Sequence, residues 1–384
     1  MENISIITST RADFSLLKNL ILILKKSNFN TSLIVSGTHF SKKYGFTVNE
    51  IKEQKIKIDA KIIQNITTDN SIAVSKVMSN CISKTAKILD KLRPNLLILL
   101  GDRYEILGSA IAAHLSRIPI AHIHGGELTS GVIDDSFRHA ITKMSQIHFV
   151  SNNIYRRRVI QLGESPSSVF TVGGMGVDNI NNTKIISKKI LESKLKIKFK
   201  KKSLLINFHP ETLKKDSTKY QISEIIKALE ELHDTTLIFT MPGAEIENDF
   251  IVKEIEKFTK KNVNAFYFKS LGQIKFFSIL KVVDAMIGNS SSGLLEMPTF
   301  KKPTINLGNR QEGRLKSKSV LDVKIDNIEI SKAIKKIYSK NFQKKIRSCK
   351  NPYGAGGASL KIFKILKNKN FKNIMVKKFY DLQS

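Results

Sequence analysis

Between Leu96 and His139 the chain packs an unusual number of ionisable residues into a short stretch. Two apolar runs, Leu96–Leu100 and Pro119–Ile123, stop at Gly101-Asp102-Arg103 and at His124-Gly125-Gly126-Glu127, and Asp134, Asp135, Arg138 and His139 follow. Short apolar runs cut off by turn residues predict buried parallel strands. The carboxyl ends of such strands open into the crevice where an α/β sheet binds its ligand. The stretch is therefore a candidate active-site crevice.

A second set of residues could grip an anion. The run Ile4–Ser9 predicts a strand that ends at Thr10-Arg11-Ala12-Asp13 and opens a helix over Phe14–Leu24, and helix N-termini present free N–H groups to anions. Arg11 and Asp13 fit a plain helix cap as well. Leu204–Phe208 predicts a strand ending in His209-Pro210-Glu211, where an imidazole can donate to a phosphate. Ile287-Gly288-Asn289-Ser290-Ser291-Ser292-Gly293 breaks another apolar run and sets serine hydroxyls before a helix, although it lacks the GxxxxGK[ST] pattern of a Walker loop. Serines also cap helices for structural reasons alone. Glu296, one and a half turns into that predicted helix, is placed to accept hydrogen bonds from ribose hydroxyls, and Arg310 could add a second cation after the strand Thr304–Leu307. Together these residues describe a nucleotide-diphosphate ligand.

The elements that position them alternate. Ser32–Val35, Ile147–Val150 and Val169–Val172 predict further strands of a first half, with helices over Ser71–Leu92 and Ile154–Leu162. Arg156, Arg157 and Arg158 give the latter a basic face that reads as solvated. Gly173-Gly174-Met175-Gly176 predicts the turn that crosses to a second half. Lys184–Lys202 is lysine-dense and reads as an exposed amphipathic helix. Strands over Leu204–Phe208, Thr236–Thr240, Ala265–Phe268, Val282–Ile287 and Thr304–Leu307 then alternate with helices near Gln221–Leu232, Asp249–Lys260, Ile274–Leu280 and Gly293–Pro298. The fold class is α/β, two Rossmann-like doubly wound domains with a ligand cleft between them. The expected division is 1–175, 176–365, and a C-terminal helix within 366–384 that packs back on the first domain.

Composition narrows the function classes. Lys and Arg number 64 against 33 Asp and Glu, a formal net charge of +31, which invites a nucleic-acid reading. The lysines are dispersed among Asn and Ile with no aromatic stacking platform and no recognised nucleic-acid motif, so nucleic acid is not the expected partner. An anionic small substrate is compatible with the charge. No apolar run reaches the roughly 18–20 residues of a membrane span, and MENISIITST lacks the layout of a signal peptide. The expected location is the cytoplasm, with no membrane partner. Cys81 and Cys349 are far apart in sequence and form no metal-binding cluster, which predicts two reduced structural thiols.

Five motifs in order, GDRYE at 101–105, HIHGGE at 122–127, DDSFRHAITK at 134–143, IGNSSSG at 287–293 and INLGNRQEGR at 305–314, closely resemble the hydrolysing UDP-N-acetylglucosamine 2-epimerases. TSTRADFSLL near the N-terminus and NPYGAGG at 351–357 extend the resemblance over nearly the whole chain. It implies a two-domain fold of the glycosyltransferase-B type, with the sugar nucleotide in the interdomain cleft, and a homodimer or homotetramer. It also implies release of UDP from C1 with loss of the C2 proton, then addition of water at C1 and reprotonation of C2 on the opposite face. The resemblance assigns diphosphate contacts to Arg11, His209, Ser290, Ser291 and Arg310, UDP contact also to Arg103, and ribose contact to Glu296. Its acid/base candidates are Asp102, Glu127, Asp134 and Asp135, with Arg138 orienting the carboxylates or holding the sugar. No cofactor and no metal are expected.

This chain carries His124 where animal members and the non-hydrolysing enzymes carry a glutamate, which leaves open whether His124 or a carboxylate takes the C2 proton. The loop Met241-Pro242-Gly243-Ala244-Glu245 lacks the Asn and Asp that the family commonly shows there. The expected substrate is UDP-N-acetylglucosamine, giving N-acetylmannosamine for sialic-acid-type sugars. The alternative is UDP-2,4-diacetamido-2,4,6-trideoxyglucose (UDP-N,N'-diacetylbacillosamine), for legionaminic acid, since ELTSGVIDDS resembles that branch too. A glycosyltransferase on the same fold is the remoter alternative.

Overall fold

The computed structural model describes residues 2–42, 45–64, 71–129, 133–209, 218–240, 248–269 and 271–382. The chain forms two compact units: unit 1 is Met1–Leu128, Val132–Asn179 and Tyr353–Ser384, and unit 2 is Thr129–Gly131 and Ile180–Pro352.

In unit 1 the order is β1 (Asn3–Thr8), α1 (Arg11–Lys25), β2 (Asn30–Val35), α2 (Val48–Glu53), β3 (Ala60–Lys61), α3 (Ser71–Leu92), β4 (Leu96–Leu100), α4 (Tyr104–Leu115), β5 (Ile120–Ile123), α5 (Asp134–Met144), β6 (Ile147–Val150), α6 (Asn153–Gln161), β7 (Val169–Thr171) and α7 (Met175–Asn181). Unit 2 continues with α8 (Lys188–Leu195), β8 (Lys202–Asn207), α9 (Thr218–Glu230), β9 (Thr235–Thr240), α10 (Asn248–Lys261), β10 (Ala265–Phe268), α11 (Gly272–Val282), β11 (Ala285–Gly288), α12 (Ser292–Leu295), β12 (Thr304–Leu307), β13 (Val320–Val323), α13 (Asn327–Ile337) and α14 (Lys340–Arg347). Then α15 (Ala358–Lys367) returns the chain to unit 1.

Unit 1 holds a seven-stranded sheet in the order β3-β2-β1-β4-β5-β6-β7, and unit 2 a six-stranded sheet in the order β10-β9-β8-β11-β12-β13. The strand pairs of both sheets are parallel. Apolar side chains on each strand divide between the two faces, as a sheet covered on both sides requires. Leu96, Ile98 and Leu100 of β4 enter one core, and Leu97 and Leu99 the other. In unit 2, Leu204 and Ile206 lie on one face and Leu205 on the other. These are the two doubly wound α/β halves that the alternating pattern predicts.

Several expectations are corrected. The Gly173-Gly174 turn does not cross to unit 2. Gly174 N donates to Tyr353 O at 2.7 Å, α7 starts at once at Met175, and the division falls after Asn179. The return begins at Tyr353, not 366, because the buried Asp178 carboxylate accepts from Gly357 N at 2.7 Å, Ser359 N at 3.2 Å and Ser359 Oγ at 2.5 Å. The C-terminal helix is therefore α15, whose Ala358, Ile362 and Leu366 join the core that α1 lines, and the described residues beyond Lys367 are not helical. Val282 closes α11 and does not open a strand. The arginine face of α6 is not simply solvated. Arg156 donates to Val169 O at 3.1 Å and Pro166 O at 2.8 Å, and Arg158 donates to Gly126 O; Arg157 alone of the three is exposed. No helix among the described residues is long and apolar enough to cross a membrane.

Candidate active site

In each sheet the chain runs outward in both directions from one central pair of strands, β1 and β4 in unit 1 and β8 and β11 in unit 2. Such a reversal is where doubly wound sheets hold their ligands, at the strands' carboxyl ends. The predicted residues lie at these ends.

In unit 1, Gly101 ends β4 with φ +84, a conformation open to glycine, and Asp102 follows. Arg138 on α5 gathers the acids. Its guanidinium pairs with the Asp102 carboxylate, donates to Asp135 Oδ1 at 3.2 Å, and donates to Glu127 O at 2.9 Å. The Arg138 side chain is 5% exposed, so its charge is held away from water by these partners. Helical spacing does the rest: Asp135 lies three residues before Arg138 and four before His139, whose Nε2 is 3.5 Å from Asp135 Oδ2. Burial and the nearby Asp102 charge raise the Asp134 carboxyl pKa, which biases Asp134 toward its protonated form.

His122, given no role by the sequence reading, completes this side. It is fully buried within β5, with Nε2 2.8 Å from Gly101 O and Nδ1 3.1 Å from Thr142 Oγ1. Burial pushes its pKa down to about 3, so the ring is neutral and donates from Nε2 to the Gly101 carbonyl while accepting from Thr142. It thereby fixes the peptide next to Asp102. The only advance signal was a polar residue inside an otherwise apolar strand.

His124 ends β5 at φ +72, rare for a residue with a side chain and a mark of a position under constraint. Its Nδ1 is 3.7 Å from Glu127 Oε1, brought there by the turn through Gly125 and Gly126. Gly126 has φ +76, and a Cβ there would lie 2.5 Å from Tyr155 O.

Two predicted ligand contacts are otherwise engaged. Arg103 donates from Nε and Nη2 to the Glu105 carboxylate, both at 3.1 Å, and Glu105 is fully buried. Burial opposes the Arg103 charge, yet Glu105 more than offsets it and the guanidinium pKa rises. Arg11 opens α1 and pairs with Glu50 at 3.3 Å on the surface. The cap at this end is made by Thr10 and Asp13, each side chain bonding the other's backbone N–H, so of the two residues Asp13 fills the capping role.

In unit 2 the organiser is Asn289, which the sequence reading passed over inside its own motif. It is fully buried; its side chain accepts from His209 N at 2.7 Å and donates to His209 O at 2.8 Å. Its own carbonyl accepts from Arg310 Nη1 at 3.2 Å and Gln311 Nε2 at 2.7 Å. One asparagine thus ties the loops after β8, β11 and β12 together. Gly288 makes this possible. At φ +138 a Cβ would stand 1.9 Å from Asn207 O, so the strands meet only with glycine there. Ser290 is buried, and its Oγ accepts from Ser292 N at 3.4 Å. Ser291 sits at the N-cap without a side-chain cap bond. The expected helix is a single turn, α12, so Glu296 is not one and a half turns inside it but at the junction with a 3-10 turn over Met297–Phe300. Burial raises the Glu296 carboxyl, opposed by a hydrogen bond from Ser292, and Oε2 is buried with no partner among the described residues. An orphan acceptor of this kind suits a ligand hydroxyl. Pro210, Glu211 and the loop Met241–Glu245 lie outside the described residues.

Two doubly wound parallel units, one with an arginine-gathered acid cluster and the other with an asparagine-tied loop set, define a glycosyltransferase-B-type α/β enzyme. The sequence profile described as UDP-N-acetylglucosamine 2-epimerase matches residues 23–367. The GDP/UDP-N,N'-diacetylbacillosamine 2-epimerase (hydrolyzing) of Campylobacter jejuni is 41% identical over 99% of both chains. The UDP-N,N'-diacetylbacillosamine 2-epimerase (hydrolyzing) of Legionella pneumophila is 31% identical over 96% of both. Among solved structures, UDP-GlcNAc 2-epimerase from Neisseria meningitidis bound to UDP-GlcNAc superposes with TM-score 0.82 at 19% identity, over 96% of this chain and 100% of that one. The chain belongs to the UDP-N-acetylglucosamine 2-epimerase family.

Proposed function

We propose that this enzyme is a hydrolysing 2-epimerase acting on a nucleotide-activated 2,4-diacetamido-2,4,6-trideoxyglucose, releasing the nucleoside diphosphate and the 2-epimeric free sugar. The observation that carries the reaction type is the Arg138-centred cluster, in which Asp102 and Asp135 are paired with a buried cation while Asp134 is pushed toward its protonated form. A carboxyl biased toward its protonated form beside carboxylates paired with a cation gives one site a proton donor next to fixed negative charge. No carbonyl acidifies the C2–H bond, so departure of the diphosphate must be strongly assisted as a base takes the proton.

In this reading Asp134 supplies a proton, Asp102 and Asp135 are held by Arg138, and the His124–Glu127 pair lies on the base side. His209, Ser290, Ser291 and Arg310 stabilise the leaving diphosphate, and Glu296 takes the ribose hydroxyls. Arg11 is paired with Glu50 and Arg103 with Glu105. The choice of sugar rests on the two relatives named for diacetylbacillosamine. UDP-N-acetylglucosamine, the first expectation from the motifs, becomes the second reading, favoured by the family description and the Neisseria structure. The cytoplasm is the proposed location, in keeping with an N-terminal stretch that lacks the layout of a signal peptide.

The test is incubation in deuterated water with three substrates in parallel: the UDP and GDP forms of the diacetamido sugar, and UDP-N-acetylglucosamine. Deuterium at C2 of the free epimeric sugar with matching nucleoside diphosphate, and the highest kcat/KM for a diacetamido form, supports the proposal. Free sugar without C2 exchange would sink the epimerase reading. A higher kcat/KM on UDP-N-acetylglucosamine would move the substrate to the second reading.

A further inference from the structure

The sequence leaves the C2 base open between His124 and a carboxylate, and Glu127 is the carboxylate that lies beside His124. The geometry of the His124 ring separates them. Its Nε2 receives the backbone N–H of Met175, the first residue of α7, in a long hydrogen bond of 3.5 Å. A peptide N–H can only donate, so Nε2 must present its lone pair, and the proton of the neutral ring sits on Nδ1. Nδ1 is the nitrogen that faces Glu127 Oε1 at 3.7 Å, a small ring rotation from a hydrogen bond. In this tautomer the imidazole has no lone pair left for a carbon-bound proton. Glu127 differs: among the described residues its carboxylate has His124 as its one partner, and a carboxylate offers about four acceptor sites.

The surroundings hold this arrangement. His124 N donates to Phe149 O at 3.0 Å, Glu127 O accepts from Arg138, and Gly126 O accepts from Arg158, so both ends of the turn are pinned and the ring is held at φ +72. A constrained backbone that aims a side chain at a carboxylate three residues on is a positioning device.

We propose that Glu127 is the base that removes the C2 proton, and that His124 is a positioning residue that orients it as the Nδ1–H tautomer. This rests on the epimerase reading above. As the C1–O bond breaks and its electron pair leaves with the diphosphate, the C2–H pair becomes the C1=C2 bond and the proton passes to Glu127. Water then adds, its hydroxide to C1 while a separate acid protonates the opposite face of C2; the proton left by that water re-forms the acid, and Glu127 returns its own proton to solvent.

Full-length Glu127→Gln, His124→Asn and His124→Ala are compared with the wild type on whichever of the three sugar nucleotides it turns over. Asparagine tolerates positive φ, and its amide nitrogen stands near the Nδ1 position. Glu127→Gln is expected to lose roughly 10³-fold in kcat, within the range for a general base. His124→Ala should lose roughly 100-fold, and His124→Asn should recover most of it, to within about 10-fold of wild type, as restoring one hydrogen bond to a charged group implies. Nitrogen-15 spectra of histidine-labelled wild type, with His124→Asn identifying the signal, should show Nδ1 protonated and Nε2 bare. A His124→Asn enzyme as impaired as Glu127→Gln, or an Nε2–H ring, overturns the proposal. Should the wild type turn over none of the three substrates, the epimerase reading falls separately, and the spectrum still decides the pair: Nδ1–H supports the orientation, Nε2–H removes it.

Discussion

Replacing Asp102 by Asn keeps the size and shape of the side chain but deletes the charge that Arg138 faces, leaving that buried guanidinium with Asp135 and a backbone carbonyl. A positioned acid or base is worth roughly 10²–10⁴ in rate, so Asp102→Asn is expected to cut kcat by that much. UDP affinity should be unchanged, because the proposed diphosphate contacts with the strongest support lie in unit 2. Steady-state turnover and calorimetric titration with UDP check both halves, and near-wild-type turnover would remove Asp102 from the acid/base set. Residue types and their clustering after two strand ends were legible in advance. Partners were not. Nothing in GDRYE announces that Arg103 closes on Glu105, or that Asp102 reaches 36 residues ahead to Arg138. His122 stayed invisible because its tautomer is set by Gly101 and Thr142, each about twenty residues away in sequence.

At the scale of elements, the meeting of β8 and β11 makes the candidate diphosphate grip of unit 2, and Asn289 is its tie. Asn289→Ala strips both clamping bonds from the backbone N–H and C=O of the half-buried His209. Each lost hydrogen bond of this kind costs about 0.5–1.5 kcal/mol, so UDP should bind about 10-fold more weakly, while circular dichroism reports an intact fold. Unchanged affinity would mean that the placement of His209 is not part of the grip. The segment after α15 makes a different kind of tie. Lys377 donates to the Glu164 carboxylate at 2.8 Å and to Lys143 O and Ser145 O at the end of α5, Tyr380 N donates to Gly163 O, and the Phe379 ring covers Gly163. Burial alone would raise the Glu164 carboxyl, but hydrogen bonds from His148, Lys143 and Lys377 outweigh it and hold its pKa at about 2.

The folded value lies below the unfolded value of roughly 4.3, so this stabilisation is complete above about pH 5 and is lost as pH falls toward 2. Glu164→Gln should therefore lower stability at neutral pH by about 2 kcal/mol, the scale of a hydrogen bond to a charged group. The gap from wild type should narrow in acid, as urea unfolding at pH 7 and pH 4 would show; a gap that stays constant with pH would exclude ionised Glu164 as its source. Elements with strongly apolar, fully buried strands, such as Leu96–Leu100, were read from sequence to the residue. Those that failed lack that signal. The strand β13 (Val320–Val323) is half exposed at the sheet edge, β3 has two residues, and α15 is recognisable only through Asp178, which lies 179 residues before the Gly357 it binds.

For the whole molecule, the two sheets share a plan that the alternation of strands and helices foretold, while the net charge of +31 is a property of the chain that the site chemistry does not require. The most strongly charged partner in the proposed reaction is the dianionic diphosphate of the sugar nucleotide, and a positive field raises the encounter rate with such a substrate. The field reaches about 30 Å at 0.01 M salt and about 3 Å at 1 M. If dispersed lysines steer the substrate, kcat/KM should fall about 10-fold or more between those two salt concentrations, within the range for electrostatic steering. The bound complex has already excluded most of the intervening ions, so kcat should hold. Measured side by side in a non-coordinating salt, the two constants separate the causes. A flat kcat/KM would show that the surface charge does not reach the capture step, and a kcat that falls with salt would place the effect after capture, away from the buried Arg138–Asp102 pair that salt screens least.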